Sequence, residues 1–340
     1  MTTETNVNET WPQARRPELG QGHDARGGTA LVLGATGGIG GHVARGLVAR
    51  GWTVRALSRR VSEVASRQPE FTWVQGDAME AGDVARAAQG VDVVVHAVNP
   101  PGYRDWEKLV LPMLENSIAA ARENSALVVL PGTVYNYGPD AFPSISEDSP
   151  QNPRTRKGAI RVEMEKRLER AAADGVASLI VRAGDFFGPR AGNSWFSQGL
   201  VKPGRPATAI AVPNIRGVGH QWAYLPDVAE TMIRLIERRE SLPTFARFHM
   251  KGFWDHDGLE MAQAIRRAVG RPLKIRHFPW WMLPIAAPFV PVFRELREMR
   301  YLWEEPVQMG NDWLVAVLGE EPSTPIDDAV RATLADLRVI

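Results

Sequence analysis

A short apolar run, Thr29-Ala30-Leu31-Val32-Leu33, stops at three glycines spaced three apart, Gly34, Gly37 and Gly40, and a helical stretch from His42 to Arg50 follows. An unbroken apolar pentamer suits a strand buried on both faces, and glycines at its end let the chain turn tightly into a helix. Gly51 ends that helix, and Thr53-Val54-Arg55-Ala56-Leu57 supplies a second strand, closing a βαβ unit of about 30 residues. The alternation then repeats. Further strands are predicted at Phe71 to Val74, Val91 to Val95, Leu127 to Leu130 and Leu179 to Val181, with helices at Asp83 to Gln89, Val110 to Glu123 and Gly158 to Ala173. This order constrains the chain to the α/β class, a doubly wound parallel sheet with its ligand at the carboxyl ends of the strands.

The spacing Gly34-x-x-Gly37-x-x-Gly40, placed between a strand and a helix, is one in which backbone N–H groups can face a pyrophosphate, with Thr36, Gly38 and Ile39 completing the turn. An acidic residue at the end of the second strand would hold the ribose 2′-hydroxyl of NAD. Here stand Ser58-Arg59-Arg60, and cations at that point favour a 2′-phosphate. The expected cofactor is NADP(H) in preference to NAD(H); the alternative is that Arg59 and Arg60 form a solvated loop.

Composition removes several chemistries. The 340 residues contain no cysteine, which excludes disulfides, thiolate nucleophiles and sulfur-ligated metals. A net charge of +1, with Lys and Arg scattered, offers no basic surface for a nucleic-acid partner. The seven histidines are dispersed, Asp255-His256-Asp257 lacks a partner at a metal-ligand spacing, and no Gly-x-Ser-x-Gly elbow is present. Met1 to Gly28 is polar and resembles neither a secretory signal nor a transit peptide, so it reads as a disordered tail on a cytoplasmic protein. Phe278 to Phe293 is apolar but broken by Pro279, Pro284, Pro288 and Pro291, and is too short for stable membrane insertion. A lid, a homodimer surface and a membrane-facing edge remain open for it.

The texture of the chain changes beyond Gly184, and Trp195 to Gly219 carries little periodicity. The boundaries read as a dinucleotide-binding domain at 29–194, an insertion from a substrate domain at 195–220, a return to the first domain at 221–241, and a smaller C-terminal substrate domain at 242–340. Helices are predicted at Asp227 to Arg238 and near Leu259 to Val269.

Taken with several ordered downstream segments, the glycine turn resembles that of the extended short-chain dehydrogenase/reductases, including their NAD-dependent epimerase/dehydratase branch. The likeness runs over about residues 29 to 335. Gly76-Asp77-Ala78 resembles the family's adenine-contacting segment, and His96-Ala97-Val98-Asn99-Pro100 the loop that closes the fourth strand near the cofactor. Gly132-Thr133-Val134-Tyr135-Asn136-Tyr137-Gly138 is similar to the Ser/Thr-containing segment before a Tyr-Gly pair, which puts Thr133 at the catalytic serine position. Arg182-Ala183-Gly184-Asp185-Phe186-Phe187-Gly188-Pro189, Ala223 to Ala229, and Leu318-Gly319 through Thr324-Pro325 fit later motifs. The resemblance implies a Rossmann fold, a nicotinamide cofactor and a small-molecule substrate.

One part of the family pattern is missing. A Tyr-x-x-x-Lys pair normally handles the proton, the lysine binding the nicotinamide ribose and lowering the phenol pKa. The five tyrosines here, Tyr103, Tyr135, Tyr137, Tyr224 and Tyr301, are followed four positions on by Glu107, Pro139, Ala141, Val228 and Glu305. Aligned on Lys157, the tyrosine position is Pro153, and aligned on the Pro-x-x-Pro of Pro150 to Pro153 it is Arg154. Three readings follow. An oxidoreductase or epimerase would use Thr133 to polarise a carbonyl, Lys157 on the ribose, and Tyr135 or Tyr137 as proton donor. A regulator similar to the NmrA-like proteins would bind NADP(H) without turnover. An isomerase or lyase would use the same fold for non-redox chemistry. Asp185, where nucleotide-sugar enzymes commonly present asparagine, would repel a diphosphate or else cap a turn. Trp195 and Trp222, among many second-half tryptophans, are candidates to wall a pocket for a small, rather apolar carbonyl or alcohol.

Overall fold

In the computed structural model, which describes residues 27–100, 106–192, 194–282 and 298–340, strand β1 (Thr29–Leu33) sends alternate side chains into two cores. Ala30 and Val32 pack on one face of the sheet, Leu31 and Leu33 on the other, as a pleated strand covered on both sides requires. Most of the expected tail at 1–28, Tyr103, and residues 283–293 of the Phe278–Phe293 stretch lie outside the described residues.

The alternation read from the sequence continues through α1 (Gly38–Ala49), β2 (Thr53–Ser58), β3 (Thr72–Gln75), α2 (Ala81–Ala87), β4 (Val93–His96), α3 (Trp106–Asn124), β5 (Leu127–Thr133), α4 (Arg156–Ala173) and β6 (Ser178–Ala183). The chain then lays down β7 (Asp185–Phe187), β8 (Ala209–Val212), β9 (His220–Tyr224), α5 (Leu225–Glu237), β10 (Phe245–His249), β11 (Phe253–Asp255), α6 (Glu260–Val269), β12 (Lys274–His277), α7 (Asp312–Leu318) and α8 (Ile326–Asp336). Seven strands form one parallel sheet in the order β10-β6-β5-β4-β1-β2-β3. Strand order reverses between β1 and β4, the switch point at which such sheets open a ligand crevice. Val43 and Leu47 of α1 and Val228, Met232 and Ile236 of α5 cover one face. Leu114 and Ile118 of α3 with Met164 and Leu168 of α4 cover the other. Each such side chain contributes about 1.5–3 kcal/mol through burial.

A smaller part sits beside the carboxyl ends of these strands. Its three-stranded sheet runs β11-β9-β7, with β9 parallel to β7 and antiparallel to β11, and β8 pairs with β12. Phe187, Phe196, Trp222, Ile265, Trp303 and Leu334 fill its core. The stretch expected to be irregular, Trp195 to Gly219, contains β8 and a helical turn at Phe196–Leu200. The chain also crosses between the two parts more often than the sequence suggests. β10, expected in the substrate domain, is the outer strand of the large sheet, and Trp313 and Leu314 of α7 join the large core. β9, expected to return to the first domain, is the central strand of the small sheet. Among the described residues, no helix is long and apolar enough to cross a membrane.

His96, at the carboxyl end of β4, is buried, and its Nδ1 lies 2.8 Å from Ser117 Oγ. The Ser117 hydroxyl spends its one proton on the Met113 carbonyl, 3.1 Å away, so Nδ1–H donates and Nε2 is left as a buried lone pair with no hydrogen-bond partner among the described residues. Burial, and then the Arg161 charge, push this imidazole down to about 3 from 6.5. The unfolded chain therefore takes up a proton that the folded chain refuses. Stability from this group is complete above pH 6.5 and is lost progressively as the pH falls toward about 3. Urea denaturation at neutral pH and near pH 5 should show a smaller acid loss in His96→Gln than in the parent protein; equal losses would contradict this account.

Candidate active site

The cleft at the switch point has a volume of about 970 Å³ and opens along the carboxyl ends of the parallel strands. Its floor is the glycine turn. Gly34 has φ +90°, and a Cβ there would lie 2.5 Å from the Ala97 carbonyl oxygen. A Cβ on Gly40 would overlap the Gly34 carbonyl oxygen, and one on Gly38 would lie 2.9 Å from that of Arg190. Only glycine lets the first turn of α1 sit this close to β1, so Gly40 acts through helix seating and does not itself line the cleft. Gly34, Thr36, Gly37, Gly38 and Ile39 line it with backbone aimed inward from a helix N-terminus.

Around this turn the structure gathers the other expected cofactor residues. Ser58 ends β2 and Arg59 and Arg60 follow it, Asp77 and Ala78 follow β3, and Ala97, Val98 and Asn99 follow β4; all line the cleft. Arg59 lies 3.8 Å from Asp77, Arg60 lies 3.3 Å from Glu63, and both arginines are largely exposed. A turn that tolerates no Cβ at Gly34, Gly38 or Gly40, joined to cations at the second strand, fits a dinucleotide.

The opposite wall carries the candidate chemistry. Thr133 ends β5, and its Oγ1 accepts the Tyr135 N–H at 3.2 Å, so it caps the following turn as well as facing the cleft. Lys157 enters from the first turn of α4, whose Thr155 cap accepts the Gly158 N–H at 2.9 Å. Gly158 lets this helix press against the Tyr135 carbonyl. Tyr135 Oη donates to Asp185 Oδ1 at 2.9 Å, and Asp185 Oδ2 meets His220 Nε2 at 2.9 Å. The His220 ring stacks on Trp303, with centroids 3.6 Å apart and planes 11° apart. Trp195, Phe186, Phe278 and Met299 form an apolar wall above this group.

Two expected site residues lie elsewhere. Trp222 is 1 % exposed and packs among Phe187, Phe196 and Trp303; its position on the central strand of the small sheet turns it into the core and away from the cleft. Tyr137 is fully buried, with Arg182 Nη1 donating to its Oη at 2.7 Å and His249 Nε2 2.9 Å away. Burial raises its phenol pKa by more than the Arg182 charge lowers it, so it holds its proton behind the site. Asp185 does line the cleft, with its two oxygens taken by Tyr135 and His220 and not spent on capping a turn. His220 is the residue that reading the sequence missed. Neither its spacing nor its neighbours mark it, because its partner is 35 positions away.

Arg182 makes a two-pronged pair with Glu165, at 3.0 Å through Nε and 2.6 Å through Nη2, inside this second cluster. Glu165→Ala strands a buried guanidinium and should cost about 3–5 kcal/mol in urea denaturation, with Glu165→Gln milder. A loss below about 1 kcal/mol for Glu165→Ala would contradict a paired, buried Arg182.

The fold has close counterparts among solved structures. The Bordetella bronchiseptica enzyme WbmH in complex with NAD+ matches with a TM-score of 0.68 at 19% identity, over 92% of this chain and 98% of that one. The Bacillus cereus UDP-glucuronic acid 4-epimerase in complex with UDP-glucuronic acid and NAD matches with a TM-score of 0.71 at 15% identity, over 91% of this chain and 99% of that one. In sequence, a dTDP-4-dehydro-6-deoxy-D-allose reductase of Streptomyces bikiniensis is 28% identical over 293 residues, 77% of this chain and 87% of the relative. A family model matches residues 30–249, which span the glycine turn, Thr133, Lys157, Asp185 and all seven strands of the large sheet but the first residue. The chain belongs to the NAD dependent epimerase/dehydratase family.

Proposed function

We propose that the protein is an NADP(H)-dependent oxidoreductase acting on a small, rather apolar carbonyl or alcohol. The observation that carries this reading is the single cleft that joins the glycine cradle and the Arg59–Arg60 pair to Thr133, Tyr135 and Lys157 beneath an apolar wall. Gly34, Gly37 and Gly38 would hold the pyrophosphate, Arg59 and Arg60 a 2′-phosphate, and Lys157 the nicotinamide ribose. A bound dinucleotide supplies the hydride donor or acceptor. The chain supplies the rest: Thr133 Oγ1 orients a substrate oxygen, Tyr135 Oη exchanges its proton, and Trp195 and Phe278 exclude water. A phenol on the cleft wall favours turnover over cofactor sensing alone.

A second reading takes its support from the Streptomyces relative, whose name is that of a dTDP-sugar reductase. Arg161 lines the same cleft and would suit a diphosphate. Addition of dTDP to the cofactor-loaded protein separates the two, since a nucleotide-sugar site should bind it and an apolar carbonyl site should not.

Cofactor fluorescence on titration with NADPH and NADH tests the main reading. NADPH should bind more tightly than NADH, and Gly37→Asp should abolish binding of both by placing a carboxylate against the pyrophosphate. Arg59→Ala should weaken NADPH about fivefold, the worth of an exposed ion pair, and leave NADH unchanged. Failure of the intact protein to bind either cofactor would overturn the proposal.

A further inference from the structure

In the family pattern a lysine lowers the phenol pKa so that tyrosine can act as a base. Here the phenol beside the cleft faces a carboxylate, Tyr135 Oη donating to Asp185 Oδ1 at 2.9 Å, and that carboxylate is held from its far side by His220 Nε2 at 2.9 Å. Asp185 is 5 % exposed and His220 equally buried, and the imidazole is clamped flat against Trp303. A phenolate next to this carboxylate would put two negative charges within hydrogen-bond distance, and the observed bond has the phenol as donor. Lys157 and Arg161 of α4 line the same wall, while Glu147, Glu165, Arg182 and His249 lie in the cluster around Tyr137.

We propose that Asp185 and His220 replace the usual lysine-assisted phenolate with a relay, in which Tyr135 passes its own proton to Asp185 Oδ1 as it takes one from a substrate hydroxyl. The inference rests on the oxidoreductase reading. In the direction of alcohol oxidation the substrate O–H bond breaks and a new Tyr135 Oη–H bond forms, while the original Oη–H bond breaks and an Asp185 Oδ1–H bond forms. The carboxylate is neutralised, and the electron pair of the substrate C–H bond departs as hydride to the oxidised dinucleotide. Carbonyl reduction runs the same transfers backward. Tyr135 is the catalytic residue. Asp185 is the proton acceptor of the step, and His220 is the positioning residue, fixing the carboxylate through Oδ2 so that Oδ1 stays on the phenol.

The test is ultraviolet titration of the Tyr135 phenol, isolated as the difference between each protein and its Tyr135→Phe counterpart. Asp185→Asn should lower the midpoint by about one pH unit or more, because the opposing charge is gone. His220→Phe, which strips the donor from Oδ2 and leaves the carboxylate more basic, should raise it. His220→Gln, which keeps an N–H donor, should restore it. Opposite signs at the two positions are the mark of the Tyr135–Asp185–His220 coupling that the relay requires; an unmoved midpoint in Asp185→Asn, or a fall in both variants as loosening of the loop would cause, overturns it. Should Asp185→Asn fail to fold, the contrast between His220→Phe and His220→Gln decides alone, a raised midpoint restored by Gln supporting the relay and equal midpoints overturning it. NADPH binding followed in the same proteins separates the two inferences. A flat titration with cofactor bound removes the role of Asp185, whereas the expected titration pattern without cofactor binding removes the redox reading and the proton transfer with it.

Discussion

The contact between the Gly34 carbonyl and Gly40 fixes where the first helix starts, and much else depends on that point. No side chain fits between them, so α1 is seated directly on the end of β1 with its N-terminal N–H groups turned to the cleft. The helix then covers the same sheet face as α5, through Val43 and Leu47 against Met232 and Ile233. Shape and electrostatics at the cofactor turn thus arise from one packing constraint, with no charged side chain in the first turn of the helix.

The candidate site lies where the chain leaves one sheet for another. β6 ends at Ala183, and Gly184 passes so close to the Gln221 carbonyl that a Cβ would overlap it. The next residue, Asp185, opens β7 and pairs in register with Trp222 of β9, which brings His220 to the carboxylate. The same register turns Trp222 into the small core. The candidate wall at this junction is built from the ends of elements: Thr133 closes β5, Asp185 opens β7, His220 opens β9 and Lys157 lies in the first turn of α4.

The strands β1, β4, β5 and β6 were legible as apolar runs because a sheet buried on both faces demands them, and the glycine turn was legible because its spacing is a steric requirement. β10 was not. Phe245-Ala246-Arg247-Phe248-His249 carries an arginine and a histidine that suit an outer strand, and nothing local shows that the chain comes back to the large sheet after Gly184. The candidate site was partly legible for the same reason. Thr133, Tyr135 and Lys157 stand beside recognisable turns, whereas the bonding of Asp185 to Tyr135 and His220 depends on pairings 50 and 35 positions apart. Tyr135 and Tyr137 look equivalent in the sequence, yet one faces the cleft and the other is locked to Arg182, since a single tight turn at Val134–Asn136 separates them.

The late return of β10 also governs the order in which the molecule can be assembled. As the chain is synthesised, β1 to β6 are complete by Ala183, but β6 keeps a bare edge until Phe245–His249 arrives, after the whole of β7 to β9 and α5. An unpaired, apolar strand edge is a template for other chains. The nascent protein therefore carries an open sheet edge after the glycine turn and all the strands beside it have been made, and closure of the sheet waits on a segment that lies beyond the first three strands of the small part.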